Sequence, residues 1–151
     1  MSWRIGLVGS SGGHLAQLWW LESWWRAHDR FWVTFDTEDA RELLADERWF
    51  SAAHPTTRNV PNMLRNTRLA WRVLRRERPD VLVSTGAGVA LPFFAVAKSM
   101  GIPVVFVEVY DRVDMPSLTG RLVGPWADRV ILQWPAQQHA YPHGIVLGPI
   151  R

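Results

Sequence analysis

The chain has 151 residues, a formal net charge of +3, 48% hydrophobic residues, 10 Trp and no Cys. That length suits one folded domain able to bury most of its apolar surface, and the lack of Cys excludes disulfides and thiolate metal sites. The small net charge argues against wholesale nucleic-acid binding, and no apolar run reaches the roughly 20 residues that span a bilayer.

The first element is an apolar strand candidate, Trp3 to Val8. It opens so close to Met1 that no signal peptide fits before it, so a cytosolic setting is expected and secretion is not. It runs into Gly9-Ser10-Ser11-Gly12-Gly13-His14 and then a helical pattern from Leu15 to Ala27. Strand, glycine turn and helix together make an anion cradle, because backbone N–H groups and the helix dipole converge there. His14 adds an imidazole, which can take a proton near neutral pH; its structural alternative is to bond the loop backbone. The glycines at 6, 9, 12 and 13 match neither G-x-G-x-x-G nor a P-loop. Within Leu15 to Ala27 the apolar residues wrap around the axis, so some of the Trp side chains are expected to meet another surface.

Arg30 to Phe35 is the next strand candidate. Asp36 closes it 23 residues beyond Gly13, where a dinucleotide binder places its ribose-binding acid, so a nicotinamide-dependent oxidoreductase is one rival function. A weaker strand, Trp49 to Ala53, precedes a helix from Val60 to Arg76. There Val60, Met63, Leu64, Ala70, Trp71 and Leu74 form an apolar stripe beside Arg65, Arg68, Arg72, Arg75 and Arg76. A basic amphipathic helix suits an anionic membrane, although such a stripe is also what a solvated face looks like.

The strand Val81 to Ser84 enters a second glycine turn containing Gly86, Ala87 and Gly88. Two such turns facing one crevice could clamp a pyrophosphate; alternatively both glycine sets serve backbone geometry alone. The strand Pro103 to Val107 ends at Glu108, at the ligand edge of the sheet. An acid there could bind a sugar hydroxyl, orient His14, or pair with Arg112 to fix the loop. Ser117 follows Pro116 and fits a helix N-cap. Strands Arg129 to Gln133 and Gly144 to Leu147 complete the pattern. His28, His54, His139 and His143 lack ligand spacing, so no metal site is expected. Short apolar strands alternating with helices predict an α/β, doubly wound, Rossmann-like parallel sheet. With neither repeat nor linker, residues 1–151 are expected to form a single domain.

Five segments carry a family resemblance: SSGGHL from Ser10 to Leu15, STGAG from Ser84 to Gly88, RV-x-x-PSLTGRL from Arg112 to Leu122, ADRVILQWP from Ala127 to Pro135, and the closing GPI. Together they resemble the PssD type of bacterial polysaccharide glycosyltransferase subunit. That type is related to the membrane-anchoring subunit of the UDP-N-acetylglucosamine transferase of asparagine-linked glycosylation, and more distantly to the amino-terminal half of MurG-type transferases.

The resemblance implies the amino-terminal, acceptor-side half of a GT-B enzyme divided between two chains. The chain stops at Gly148-Pro149-Ile150-Arg151, where a one-chain enzyme would enter its donor domain. A separate donor-binding subunit would hold the UDP-sugar, so this chain would bind no cofactor of its own. The acceptor would be a polyprenyl-diphosphate-linked saccharide, met at the cytoplasmic face of the membrane by a peripheral protein. By the same resemblance, Ser10, Ser11, Gly12, Gly13 and His14 would approach the pyrophosphate and the acceptor hydroxyl, with His14 as general base. Gly86, Ala87 and Gly88 would close the other side. Glu108, as a second catalytic residue, and the loop with Arg112, Ser117, Thr119 and Gly120 would line the acceptor sugar or the seam between subunits. Two departures stand out: no membrane-spanning helix, and Val109-Tyr110-Asp111 in place of small residues after the glutamate. A non-catalytic scaffold that brings the donor subunit to the membrane is the remaining alternative.

Overall fold

The computed structural model describes residues 2–150; Met1 and Arg151, the outer ends of the expected single domain, lie outside the described residues. Seven parallel strands form one sheet among the described residues: β1 Arg4–Gly9, β2 Asp29–Phe35, β3 Trp49–Ala52, β4 Val81–Gly86, β5 Val104–Val107, β6 Arg129–Leu132 and β7 Ile145–Val146. Their spatial order is β3-β2-β1-β4-β5-β6-β7. The chain winds outward from β1 to β3, then crosses back to place β4 on the free side of β1 and winds outward again. The order therefore reverses between β1 and β4, the switch point at which ligands of open α/β sheets bind. Both glycine turns leave the sheet there, which is the architecture expected.

Helices α1 Gly13–Trp19, α2 Glu22–Trp25 and α3 Glu38–Leu43 pack on one face, and α4 Val60–Glu77, α5 Ala90–Ser99 and α6 Leu118–Val123 on the other. A 3-10 turn, Pro135–His139, links β6 to β7. Alternate strand residues serve alternate faces. Ile5 and Leu7 join Leu15, Leu18, Trp25 and Trp32, while Val8 joins Phe31, Leu82, Phe93 and Phe106. Burial on both faces is why these strands read as continuous apolar runs.

Two helices differ from expectation. The predicted helix from Leu15 to Ala27 breaks at Trp20 and Leu21, because the Trp25 indole turns back to donate to the carbonyls of Leu18 at 3.1 Å and Trp19 at 3.2 Å. Trp25 is then buried 4.9 Å from the Trp19 ring and 5.4 Å from Trp32, under the Arg30 guanidinium. Trp3, Trp20 and Trp24 stay exposed. In α4 the single predicted apolar stripe divides. Ala70, Val73 and Leu74 are buried, but the first two turns bury Asn62 and Asn66 instead. Asn66 bonds both the N–H and the carbonyl of Ala53, at 2.7 and 3.0 Å, and Asn62 donates to the Pro55 carbonyl at 2.8 Å. Satisfying that loop turns Val60, Met63, Leu64 and Trp71 outward among the arginines. No described helix is long and apolar enough to cross a membrane.

Candidate functional site

A cleft of about 290 Å³ lies at the carboxyl ends of β1, β4 and β5. Gly13, His14 and Gln17 of α1 form one wall, Ala87 of the second turn the floor, and Val109, Asp111, Arg112, Ser117, Leu118 and Thr119 the other wall. A larger groove of about 610 Å³ runs between α6 and the Tyr141–Ile145 segment, but neither glycine turn reaches it. The chemistry-bearing residues converge on the smaller cleft.

Of the residues singled out in the sequence, the fold brings Gly13, His14, Ala87, Arg112, Ser117 and Thr119 together. His14, half-buried in the first turn of α1, places Nδ1 3.1 Å from the Thr85 carbonyl oxygen, and the Thr85 hydroxyl donates to the His14 carbonyl at 2.7 Å. A carbonyl can only accept, so Nδ1 of the neutral ring carries the proton and Nε2 keeps its lone pair. A Cβ built on Gly13 meets nothing within 4 Å. Its missing side chain leaves room in the cleft rather than relieving the fold. Arg112 is exposed on the rim and has no carboxylate partner among the described residues.

The other predicted site residues lie outside the lining. Ser10 and Ser11 form the turn between β1 and α1 without reaching it. Gly12 has φ +79°, and its N–H donates to Asp39 Oδ2 at 3.0 Å, so part of the predicted cradle already holds an internal anion. The backbone N–H groups it accepts from, that amide among them, help to hold the Asp39 carboxyl below its ordinary value against desolvation. Gly86, at φ +113°, is buried behind Ala87. Gly88 is required by packing, since a Cβ there would stand 2.5 Å from the Thr56 hydroxyl oxygen.

Glu108 departs furthest from expectation. It is wholly buried, does not line the cleft, and does not pair with Arg112. Its carboxyl accepts from the N–H of Val109 at 2.9 Å, the N–H of Ser117 at 3.0 Å, the Ser117 hydroxyl at 3.2 Å, and the Tyr141 hydroxyl. Burial, then the adjacent Glu108, push the Tyr141 phenol well above its ordinary value, so it stays a donor. Every acceptor site faces inward because an uncompensated buried acid is costly. Glu108 thus anchors the loop that walls the cleft. Ser117 caps α6 by accepting from the Gly120 N–H at 3.0 Å, as its sequence context predicted. Gly120 itself is buried against Tyr141 and Glu108, and it borders the larger groove rather than this cleft.

Three buried glutamines escaped the sequence reading. Gln17 Oε1 accepts from Tyr110 N–H at 3.0 Å and Gln133 Nε2 at 2.9 Å, and Gln137 Nε2 donates to the carbonyls of Val109 and Arg112 at 3.1 and 3.0 Å. They pin the loop from Val109 to Arg112. Gln17 stands three residues after His14, on the same helical face, and Gln133 ends an apolar strand; a polar residue in either place is a legible signal. Asp36, the ribose-binding candidate, instead accepts from Arg41 Nε at 2.5 Å on the surface, which lowers its carboxyl from the ordinary value.

The family model for oligosaccharide biosynthesis proteins like Alg14 matches residues 51–150. The chain is 32% identical over 88 residues to the human UDP-N-acetylglucosamine transferase subunit ALG14, an alignment covering 54% of this chain and 41% of that one. It therefore spans about two fifths of the length of this relative. Among solved structures, Acinetobacter baumannii MurG superposes with a TM-score of 0.73 at 19% identity, covering 88% of this chain and 42% of that one. UDP-N-acetylglucosamine 2-epimerase from Rickettsia bellii also gives 0.73, at 16% identity, covering 96% and 43%. At such identities the superpositions establish a shared fold, the half-molecule common to GT-B transferases and epimerases, and leave chemistry to the site. The match is to the Alg14-like family, and the narrower PssD label stays a resemblance.

Proposed function

This chain belongs to the Alg14-like family of oligosaccharide biosynthesis proteins, and from that premise we propose that it is the acceptor-side component of a two-chain inverting glycosyltransferase. The whole chain would serve as one acceptor-binding domain, with the UDP-sugar, UDP-N-acetylglucosamine or a close relative, on a separate donor subunit. The acceptor would be a polyprenyl-diphosphate-linked saccharide, and the chain would sit peripherally on the cytoplasmic face of the membrane. In the reaction, His14 Nε2 takes the proton of the acceptor hydroxyl as its oxygen bonds to the anomeric carbon. The bond from that carbon to the nucleotide diphosphate breaks, and the diphosphate leaves on the donor subunit. Arg112 on the rim is the cation nearest to hand for the acceptor's diphosphate, and the unfilled space above Gly13 lets it approach.

The observation that carries this reading is the His14–Thr85 contact, which leaves a proton-accepting nitrogen on a residue lining the cleft at the switch point. General base assistance is typically worth 10²- to 10⁴-fold. His14→Ala is therefore expected to lower transfer by that range in the reconstituted pair while folding and subunit binding persist. Near-normal turnover would overturn the assignment and favour the scaffold. The membrane contact is supported by α4, whose outward Val60, Met63, Leu64 and Trp71 lie among Arg65, Arg68, Arg72, Arg75 and Arg76. Vesicles containing anionic lipid should sediment the protein in a salt-sensitive way. Equal, weak binding to neutral and anionic vesicles would remove that part.

A further inference from the structure

We propose that Thr85 is the positioning residue of this cleft, fixing the orientation and tautomer of His14; the inference rests on His14 acting as a proton acceptor. The β1–β4 ladder pairs Val8 with Ser84 and Gly9 with Gly86, skipping Thr85. Thr85 is the extra residue of a β-bulge, a device that turns one residue's groups away from the ladder. Its freed carbonyl meets His14 Nδ1 at 3.1 Å and its hydroxyl donates to the His14 carbonyl at 2.7 Å. The two bonds join positions 71 residues apart and brace the ring and the backbone of one residue together.

The surroundings hold the bulge in place. The Ser84 hydroxyl accepts the Gly86 N–H at 2.9 Å, and Gly86 and Ala87 follow with φ of +113° and +72°. Left-handed backbone at a non-glycine residue persists only where neighbouring structure over-determines it. On the opposite strand, a Cβ on Gly9 would stand 3.3 Å from the Thr85 hydroxyl oxygen, so glycine leaves that hydroxyl its place. Thr85 is fully buried and lies outside the cleft lining. It acts through His14, not on a ligand.

Thr85→Val keeps the shape and removes the donor, Thr85→Ala is a second donorless variant, and Thr85→Ser keeps the donor. In the chain alone, imidazole nitrogen shifts of His14 read by NMR should report the Nδ1–H tautomer in the wild type and Thr85→Ser. The Thr85 carbonyl survives in Thr85→Val and Thr85→Ala, but without the hydroxyl that braces the His14 backbone against it the ring loses its register with that carbonyl. These variants should therefore report a mixture, each measured where its amide dispersion matches the wild type. In the reconstituted pair, Thr85→Val should lower kcat about tenfold, the worth of one ordinary hydrogen bond. KM should stay within about twofold, Thr85→Ser should recover kcat, and adding Thr85→Val to His14→Ala should cost nothing further. An unchanged tautomer in both donorless variants, or an undiminished loss on top of His14→Ala, would overturn the proposal. Full turnover of His14→Ala alone would instead overturn the base assignment, and the tautomer measurement on the isolated chain would still decide whether Thr85 holds the ring.

Discussion

Gly120→Ala sets two effects of opposite sign against each other. Gly120 lies inside α6, where alanine is favoured over glycine by about 1 kcal/mol on propensity alone. The added methyl, however, would overlap the Tyr141 hydroxyl and stand 2.7 Å from Glu108 Oε2 and 3.0 Å from the Phe106 ring. Overpacking of a filled core costs about 1–3 kcal/mol. Prising apart a buried hydroxyl and carboxyl forfeits about 1.5–3 kcal/mol more. The two costs overlap, since the same movement relieves the clash and breaks the bond, so the net expectation is a loss of about 2–4 kcal/mol. For a chain of this size that is a fall of roughly 5–15 °C in Tm. Thermal and urea unfolding followed by circular dichroism would measure it. A variant as stable as the wild type, or more so, would refute the placement of Tyr141 and Glu108 as the anchor of the loop that walls the cleft.

Gly13→Ala should behave in the opposite way: with open space around its Cβ it should match or exceed wild-type stability, yet raise the KM for the acceptor by filling the cleft. An unchanged KM would show that the acceptor does not approach this turn. Gly88→Ala should cost about 1–3 kcal/mol by driving a methyl into Thr56, read as a drop in the urea midpoint. Tyr141 holds its proton more tightly folded than unfolded, so its contribution is complete below the ordinary tyrosine value of 10.0 and declines as pH rises beyond it. Urea titrations above that pH should show a shallower decline for Tyr141→Phe than for the wild type, and parallel slopes would contradict the shift. Asp29 is depressed by its hydrogen bond to Arg4, so its contribution is present above the ordinary carboxylate value of 3.8 and lost as pH falls through the lowered one. Arg4→Met should flatten the acid limb of stability against pH; an unaltered acid limb would argue against the pair.

Much of the fold was readable along the chain because a strand buried on both faces must be apolar at nearly every position, and helices must intervene for such strands to lie parallel. The predicted strands recur within one or two residues of their observed ends, and both glycine turns fall at the switch point. Local chemistry also identified Ser117 as a cap, and the loop it singled out does bring His14 to the cleft lining. What local pattern could not supply was the direction in which a polar side chain spends its hydrogen bonds. Glu108 reads as a cleft acid, yet faces inward because Ser117 and Tyr141, 9 and 33 residues away, satisfy it there. Gly13 and Gly120 are the same residue type in two quoted motifs, but one borders open space and the other a filled core. Periodicity and composition are properties of neighbouring residues, and they were enough for the sheet. Burial, the bulge at Thr85 and the tautomer of His14 depend on atoms brought together across 71 residues, which exist as neighbours only once the sheet has closed around the switch point.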